Sequence, residues 1–169
     1  MPVVRAYVGL GSNLDDPERQ ITRALTELAK LPHTRCIKHS RLYLSAPLGP
    51  PVSLPAQPDY VNAVAQLDTG LSALELLRHL LEIEHRHGRV RTSEQWGPRT
   101  LDLDLLLYGE QHHAGPSLTV PHPRLHERAF VLYPLAELDP DLKIPGKGAI
   151  QELLKHCLKQ KLTPLPISL

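Results

Sequence analysis

Ser72-Ala73-Leu74-Glu75-Leu76-Leu77-Arg78-His79-Leu80-Leu81-Glu82-Ile83-Glu84 begins with a capping box and continues with leucine at helical spacing. The Ser72 hydroxyl and the Glu75 carboxylate each satisfy a backbone donor that the first turn would leave free. Leu74, Leu77, Leu80, Leu81 and Ile83 supply the expected buried face, and Gly88 is a natural stop. Glu84 shares the stripe of Leu77 and Leu80 and so faces inward, where the dipole at a helix end opposes a carboxylate. It calls for an arginine or a ligand as partner, unless the helix end frays.

Residues 60–67, Tyr-Val-Asn-Ala-Val-Ala-Gln-Leu, read as a strand before this helix, and Leu101–Tyr108 read as a strand after it, beyond a loop. The same order stands upstream. Val3–Val8 reads as a first strand ending at Gly9-Leu10-Gly11-Ser12-Asn13. A helix follows, with Asp16 as its cap, Pro17 in its first turn and Ile21, Ala24, Leu25 and Leu28 at helical spacing, until Pro32 ends it. Residues 34–45 alternate in part and read as a second strand. Strand-helix-strand-strand-helix-strand is the split βαβ order of an α+β domain, an antiparallel sheet with both helices on one face. Further helices are expected near 126–138 and 149–160.

The chain has 169 residues, the size of one domain, and a single domain over 1–169 is expected. A net charge of +1 supplies no global field toward nucleic acid or a membrane surface. Aromatics at 4% are too few for RNA binding on an open sheet. No apolar run approaches the roughly 18 residues of a membrane helix, and the N-terminus lacks the layout of a signal peptide. Two distant cysteines, Cys36 and Cys157, form neither a disulfide framework nor a zinc knuckle. These features together fit a cytoplasmic protein.

Two loops are long enough to be functional. Residues 45–59 carry five prolines, and residues 88–100 carry Arg89, Arg91 and Arg99. Just beyond the second loop stands Leu101-Asp102-Leu103-Asp104-Leu105. Alternation puts Asp102 and Asp104 on one face, about 6.5–7 Å apart along the strand, and the leucines on the other. A half-buried strand showing two solvated aspartates is the commoner meaning of D-x-D alone. Aspartate is nevertheless depleted in strands, and like charges on one face repel, which moves the balance toward a compensating hard cation. Arginines beside such a pair suit a polyphosphate with its magnesium ions. There is no P-loop, no third glycine of a dinucleotide fingerprint after Gly9-Leu10-Gly11, and no HExxH, while Pro123 weakens any helical zinc pair of His122 and His126.

Trp96-Gly97-Pro98-Arg99-Thr100-Leu101-Asp102-Leu103-Asp104-Leu105-Leu106 closely resembles the motif of the 6-hydroxymethyl-7,8-dihydropterin pyrophosphokinases of folate biosynthesis. The likeness extends through Tyr7–Leu14, Pro47–Gly49, Gln57–Asn62, Gly88–Arg91 and Thr119–Pro123, and covers about residues 3–142. It implies a ferredoxin-like sandwich. Its chemistry would be transfer of pyrophosphate from ATP to the pterin hydroxymethyl group, with two magnesium ions held by Asp102 and Asp104. By the same resemblance Arg89, Arg99, His122 and Arg128 bind phosphate, Trp96 belongs to a lid, and Glu84, Leu105 and Thr119 lie with the nucleotide. The pterin would stack between Tyr60 and Phe130, near Ala46, with Asn62 and the backbone at Leu48 reading its polar edge. A monomer is expected, with no nucleic-acid or membrane partner.

This chain departs from the family pattern at Thr92, Gln95 and Ser117, which bears on ATP affinity and lid motion. The competing readings are a ferredoxin-like nucleotide- or small-ligand-binding module without catalysis, a nucleic-acid binder using the arginines, and a metal-dependent phosphohydrolase.

Overall fold

The structure is a computed structural model and describes residues 2–14, 16–46, 59–88 and 101–165. The elements run β1 (Val4–Ser12), α1 (Pro17–Ala29), β2 (Thr34–His39), β3 (Tyr43–Ser45), β4 (Tyr60–Thr69), α2 (Ala73–Arg86) and β5 (Asp102–Tyr108). Two short hairpins, two helices and a last strand follow: β6 (His113–Ala114), β7 (Thr119–Val120), α3 (Ala129–Leu138), β8 (Lys143–Ile144), β9 (Gly148–Ala149), α4 (Ile150–Leu154) and β10 (Leu162–Pro164). The main sheet is antiparallel, in the order β10-β3-β4-β1-β5, with β2 also paired to β4.

β1 does not stop at Val8. It continues through both glycines because their backbones are paired on both sides: Gly9 lies between Val64 and Asp104, and Gly11 between Asn62 and Asp102. Ladder bonds to two neighbours outweigh the poor strand preference of glycine. Residues 34–45 are two strands. At the break Ser40 donates its N–H to the Val64 carbonyl (2.8 Å), and its Oγ accepts from the Val64 N–H (2.9 Å). The side chain thus stands in for a ladder partner while the strand changes course.

The capping box of α2 is formed, with Glu75 N–H on Ser72 Oγ (3.1 Å) and Ser72 N–H on Glu75 Oε1 (3.0 Å). The buried stripe is Ala73, Leu76, Leu80, Ile83 and Glu84, whereas Leu74 and Leu81 are 46% and 40% exposed. Seven residues apart, these two leucines share a stripe beside the buried one. The expected side-chain cap of α1 also fails. Asp16 sits at φ 61, outside the extended region from which a capping side chain reaches the first-turn amides, and only its carbonyl engages, accepting from Gln20 N–H (3.1 Å).

Strand alternation divides the sheet into two faces. Ala6, Val8 and Leu10 of β1, Ala63 and Ala65 of β4, and Leu103 and Leu105 of β5 pack against Ile21, Ala24, Leu28, Leu76, Leu80 and Ile83 of α1 and α2. Tyr7, Val64, Leu106 and Leu107 point the other way, against Leu132 and Leu135 of α3 and Ile150 of α4. A bulge makes this phase possible: Val8 opposes Leu105 and Tyr7 opposes Leu107, so Leu106 is the extra residue. The C-terminal helices therefore cover the second face, and the sheet is enclosed between two helical layers.

Candidate active site

On that second face the register places Asp102, Gly11, Asn62 and Tyr43 side by side across four strands. One step along, Asp104 lies beside Gly9 and Val64. With strands about 4.8 Å apart, Asn62 stands two strands, roughly 10 Å, from Asp102. Each aspartate thus has a glycine as its neighbour on β1. A Cβ on Gly11 would lie 3.4 Å from Asn62 Oδ1 and 3.7 Å from the Tyr60 ring, so the bare backbone leaves room between the carboxylates and the aromatic side chain. Asp102 and Asp104 are half-buried.

Two nitrogen donors, His122 and Arg128, approach from the segment that leads into α3. His122 N–H donates to the Leu106 carbonyl (2.9 Å), which ties this segment to β5. The His122 ring Nδ1 accepts from Arg124 N–H (3.3 Å), so the neutral ring carries its proton on Nε2. Burial first, then Arg128, pull this imidazole down to about 4 against the opposing pull of Asp102. It is a neutral N–H donor at ordinary pH. Arg128 is also drawn below its usual range by burial, with the carboxylates of Asp104 and then Asp102 raising it and Arg124 lowering it. Its guanidinium lies over the Phe130 ring, 5.6 Å from the centroid.

The segment is held from behind by the C-terminal region. Gln160 accepts from Ala129 N–H (2.9 Å) and donates to the Glu127 carbonyl (2.7 Å), fixing the start of α3. Nothing in the sequence pattern marks Gln160.

The face brings together Asp102, Asp104, Tyr60, Asn62, His122, Arg128 and Phe130. Other expected residues fall elsewhere. Leu105 is 4% exposed within the core under α1 and α2, so its side chain does not share the face of the aspartates. Glu84 is 2% exposed, and its Oε2 accepts from Leu103 N–H (2.7 Å). One partner of Glu84 is thus the main chain between the two aspartates. Thr119 is exposed on β7 and bonds the Gly115 carbonyl (3.3 Å), and Ala46 is exposed at the end of β3. Leu48, Arg89, Arg91, Thr92, Gln95, Trp96 and Arg99 lie outside the described residues.

The donor set fits magnesium. Among the described residues no third histidine, cysteine or acidic side chain joins the aspartates to complete a protein cage. Two hard carboxylates with space beside them suit an ion that keeps water and takes phosphate oxygens as its other ligands.

A family model described as 7,8-dihydro-6-hydroxymethylpterin-pyrophosphokinase matches residues 7–140. The chain belongs to this pyrophosphokinase family. It is 51% identical to the 2-amino-4-hydroxy-6-hydroxymethyldihydropteridine pyrophosphokinase of Pseudomonas aeruginosa, over 97% of this chain and 98% of that one. It is 45% identical to the pyrophosphokinase of the same name from Haemophilus influenzae, over 96% and 99%. Among solved structures, a Plasmodium falciparum HPPK-DHPS triple mutant superposes with a TM-score of 0.69 at 12% identity, over 90% of this chain. An HPPK-DHPS in complex with substrates gives 0.66 at 12% identity, over 91%. This chain spans 43% of each of those longer chains, and at such identity they show the fold alone. That shared pyrophosphokinase fold is the ferredoxin-like sandwich.

Proposed function

We propose that this chain carries out the reaction of its family on the Asp102–Asp104 face of the sheet, transferring pyrophosphate from ATP to 6-hydroxymethyl-7,8-dihydropterin. The observation that carries the reading is the pairing of two strand carboxylates with two bare glycines, beside the Tyr60 ring and within the electrostatic reach of Arg128. ATP is the co-substrate. Asp102 and Asp104 would hold two magnesium ions, which neutralise polyphosphate charge and polarise the phosphoryl oxygens when bound.

The chain's own residues do the positioning. Tyr60 and Phe130 take the pterin ring between them, and Asn62, with the backbone at Leu48, reads its polar edge. Arg128 meets the developing charge with its planar donors, joined by Arg89 and Arg99 from the loop before β5. His122 donates from Nε2 without bringing a charge of its own. The pterin hydroxymethyl oxygen attacks the β-phosphorus in line, the bond to the bridging α–β oxygen breaks, and AMP leaves with that oxygen. The hydroxyl proton passes to solvent. Such a reaction asks little covalent work of a protein, so placement and charge neutralisation dominate. Trp96 and its loop would exclude water that otherwise hydrolyses ATP.

Glu84, Leu105 and Thr119 border β5 and would line the nucleotide side, Leu105 through its main chain. The near-neutral charge supports action without a nucleic-acid partner, and the proposed enzyme is a cytoplasmic monomer. Among the described residues no helix is long and apolar enough to cross a membrane. The test is AMP release from ATP and magnesium with and without the pterin. Pterin-dependent AMP is the expected result. AMP or phosphate release that ignores pterin would point to a hydrolase, and binding without turnover to a ligand-binding module.

A further inference from the structure

We propose that Ser45 is a positioning residue for pterin selection: together with the Tyr60 carbonyl it locks the side-chain amide of Asn62 so that the oxygen, and not the nitrogen, faces the pterin. This rests on the pterin-binding role of Asn62 given above.

Ser45 ends β3 opposite Tyr60, and Asn62 lies two residues further along β4, opposite Tyr43. Ser45 and Asn62 are both buried, at 8% and 4% exposure. Asn62 Nδ2 donates to Ser45 Oγ at 2.6 Å and lies 3.5 Å from the Tyr60 carbonyl oxygen. A hydroxyl can serve either end of an amide, but a carbonyl only accepts. The short bond to Ser45 therefore fixes the amide plane, and the Tyr60 carbonyl decides which end is nitrogen. The remaining end, Oδ1, lies 3.4 Å from where a Cβ on Gly11 would be. Gly11 itself has no side chain to occupy that space.

An acceptor held over a glycine floor suits the N–H and amino donors on the edge of a pterin. Turning the amide over would bring Oδ1 against the Tyr60 carbonyl, oxygen to oxygen, and would offer donors to a ring edge that itself donates. Sites built to hydrogen-bond a ligand group reject the analogue lacking it, because the buried partner is left unpaired. Ser45 would thus act on selectivity through Asn62 without touching the phosphates.

The experiment measures equilibrium binding and steady-state kinetics for 6-hydroxymethyl-7,8-dihydropterin and for the corresponding lumazine, whose 2-amino donor is replaced by a carbonyl acceptor. Wild type, Ser45→Ala, Ser45→Cys and Ser45→Thr are compared. Loss of the buried bond in Ser45→Ala is expected to raise the pterin Kd and KM about tenfold. The KM for ATP should stay unchanged and the preference for pterin over lumazine should fall. Ser45→Thr, which keeps the hydroxyl, should behave as wild type, and Ser45→Cys, which keeps the bulk, should resemble Ser45→Ala. In amide spectra of the unliganded protein, the hydrogen-bonded Asn62 NH2 signals should shift in Ser45→Ala and Ser45→Cys and be retained in Ser45→Thr. An unchanged pterin preference in well-folded Ser45→Ala or Ser45→Cys overturns the proposal, as does a parallel rise in both KM values. Wild type that binds pterin but forms no AMP would instead overturn the catalytic reading, and the binding comparison would still judge Ser45. Wild type that does not bind pterin overturns both.

Discussion

The two faces of β1, β4 and β5 are made from the same strands and differ in almost every other respect. Toward α1 and α2, Ala6, Val8, Ala63, Ala65 and Leu103 are at most 2% exposed and pack in one hydrophobic cluster. Toward α3, the same strands present Gly9, Gly11, Asn62, Asp102 and Asp104 at one end and an apolar patch at the other. Burial of the first face supplies the driving force for folding. That lets the second carry two like charges and two glycines, both unfavourable in strands. The lesson is a division of labour by strand parity at the end of the sheet that carries the aspartates: one parity packs against α1 and α2 and the other faces the site.

Substitutions on either face can break that division. Among substitutions that leave the carboxylate pair intact, the largest effect is expected from Arg128→Ala on the second face, which should lower pterin-dependent AMP formation by about 10²–10³-fold, as loss of a donor to developing charge does elsewhere. Its unfolding midpoint should stay near wild type. A variant equally inactive and equally destabilised would assign Arg128 to the fold. On the first face, Leu80→Ala empties a fully buried position of α2. It should cost about 2–5 kcal/mol in denaturant unfolding while the folded enzyme keeps its kcat. A large fall in kcat with stability intact would show that the faces are not separable.

A smaller effect sharpens the boundary between them. The His122 imidazole is held at about 4 in the folded protein against its ordinary 6.5. Between those values the unfolded chain takes a proton that the folded one refuses, so acidification destabilises the fold. Relative to His122→Gln, wild type should lose on the order of 2 kcal/mol of stability between pH 7 and pH 4.5, after allowance for partial solvent screening. Parallel curves for the two proteins would mean that His122 is as well solvated folded as unfolded.

Much of this was readable beforehand, for physical reasons that also explain the misses. The capping box of Ser72 and Glu75 is a local hydrogen-bonding device, and it formed as read. Asp102 and Asp104 share a face because strand parity is strict. The same parity places Leu105 with Leu103, on the face toward α1 and α2. β1 was read too short because glycine looks like a turn until both neighbouring strands are known. Leu74 and Leu81 were read as buried because helical spacing gives a period but not its phase; Leu76 and Glu84 decide that. Ser40, Ser45 and Gln160 act through bonds to residues far along the chain, at Val64, Asn62 and Ala129, and no local pattern announces such contacts.

The measurement that separates the faces most sharply is pterin-dependent AMP formation by Asp104→Ala, with its thermal unfolding followed in parallel. Activity should vanish while the unfolding midpoint stays near that of wild type, because removing one of two adjacent like charges relieves repulsion on the strand and offsets the attraction lost at Arg128. Retained activity in the folded variant would contradict the assignment of the carboxylate pair as the centre of the reaction.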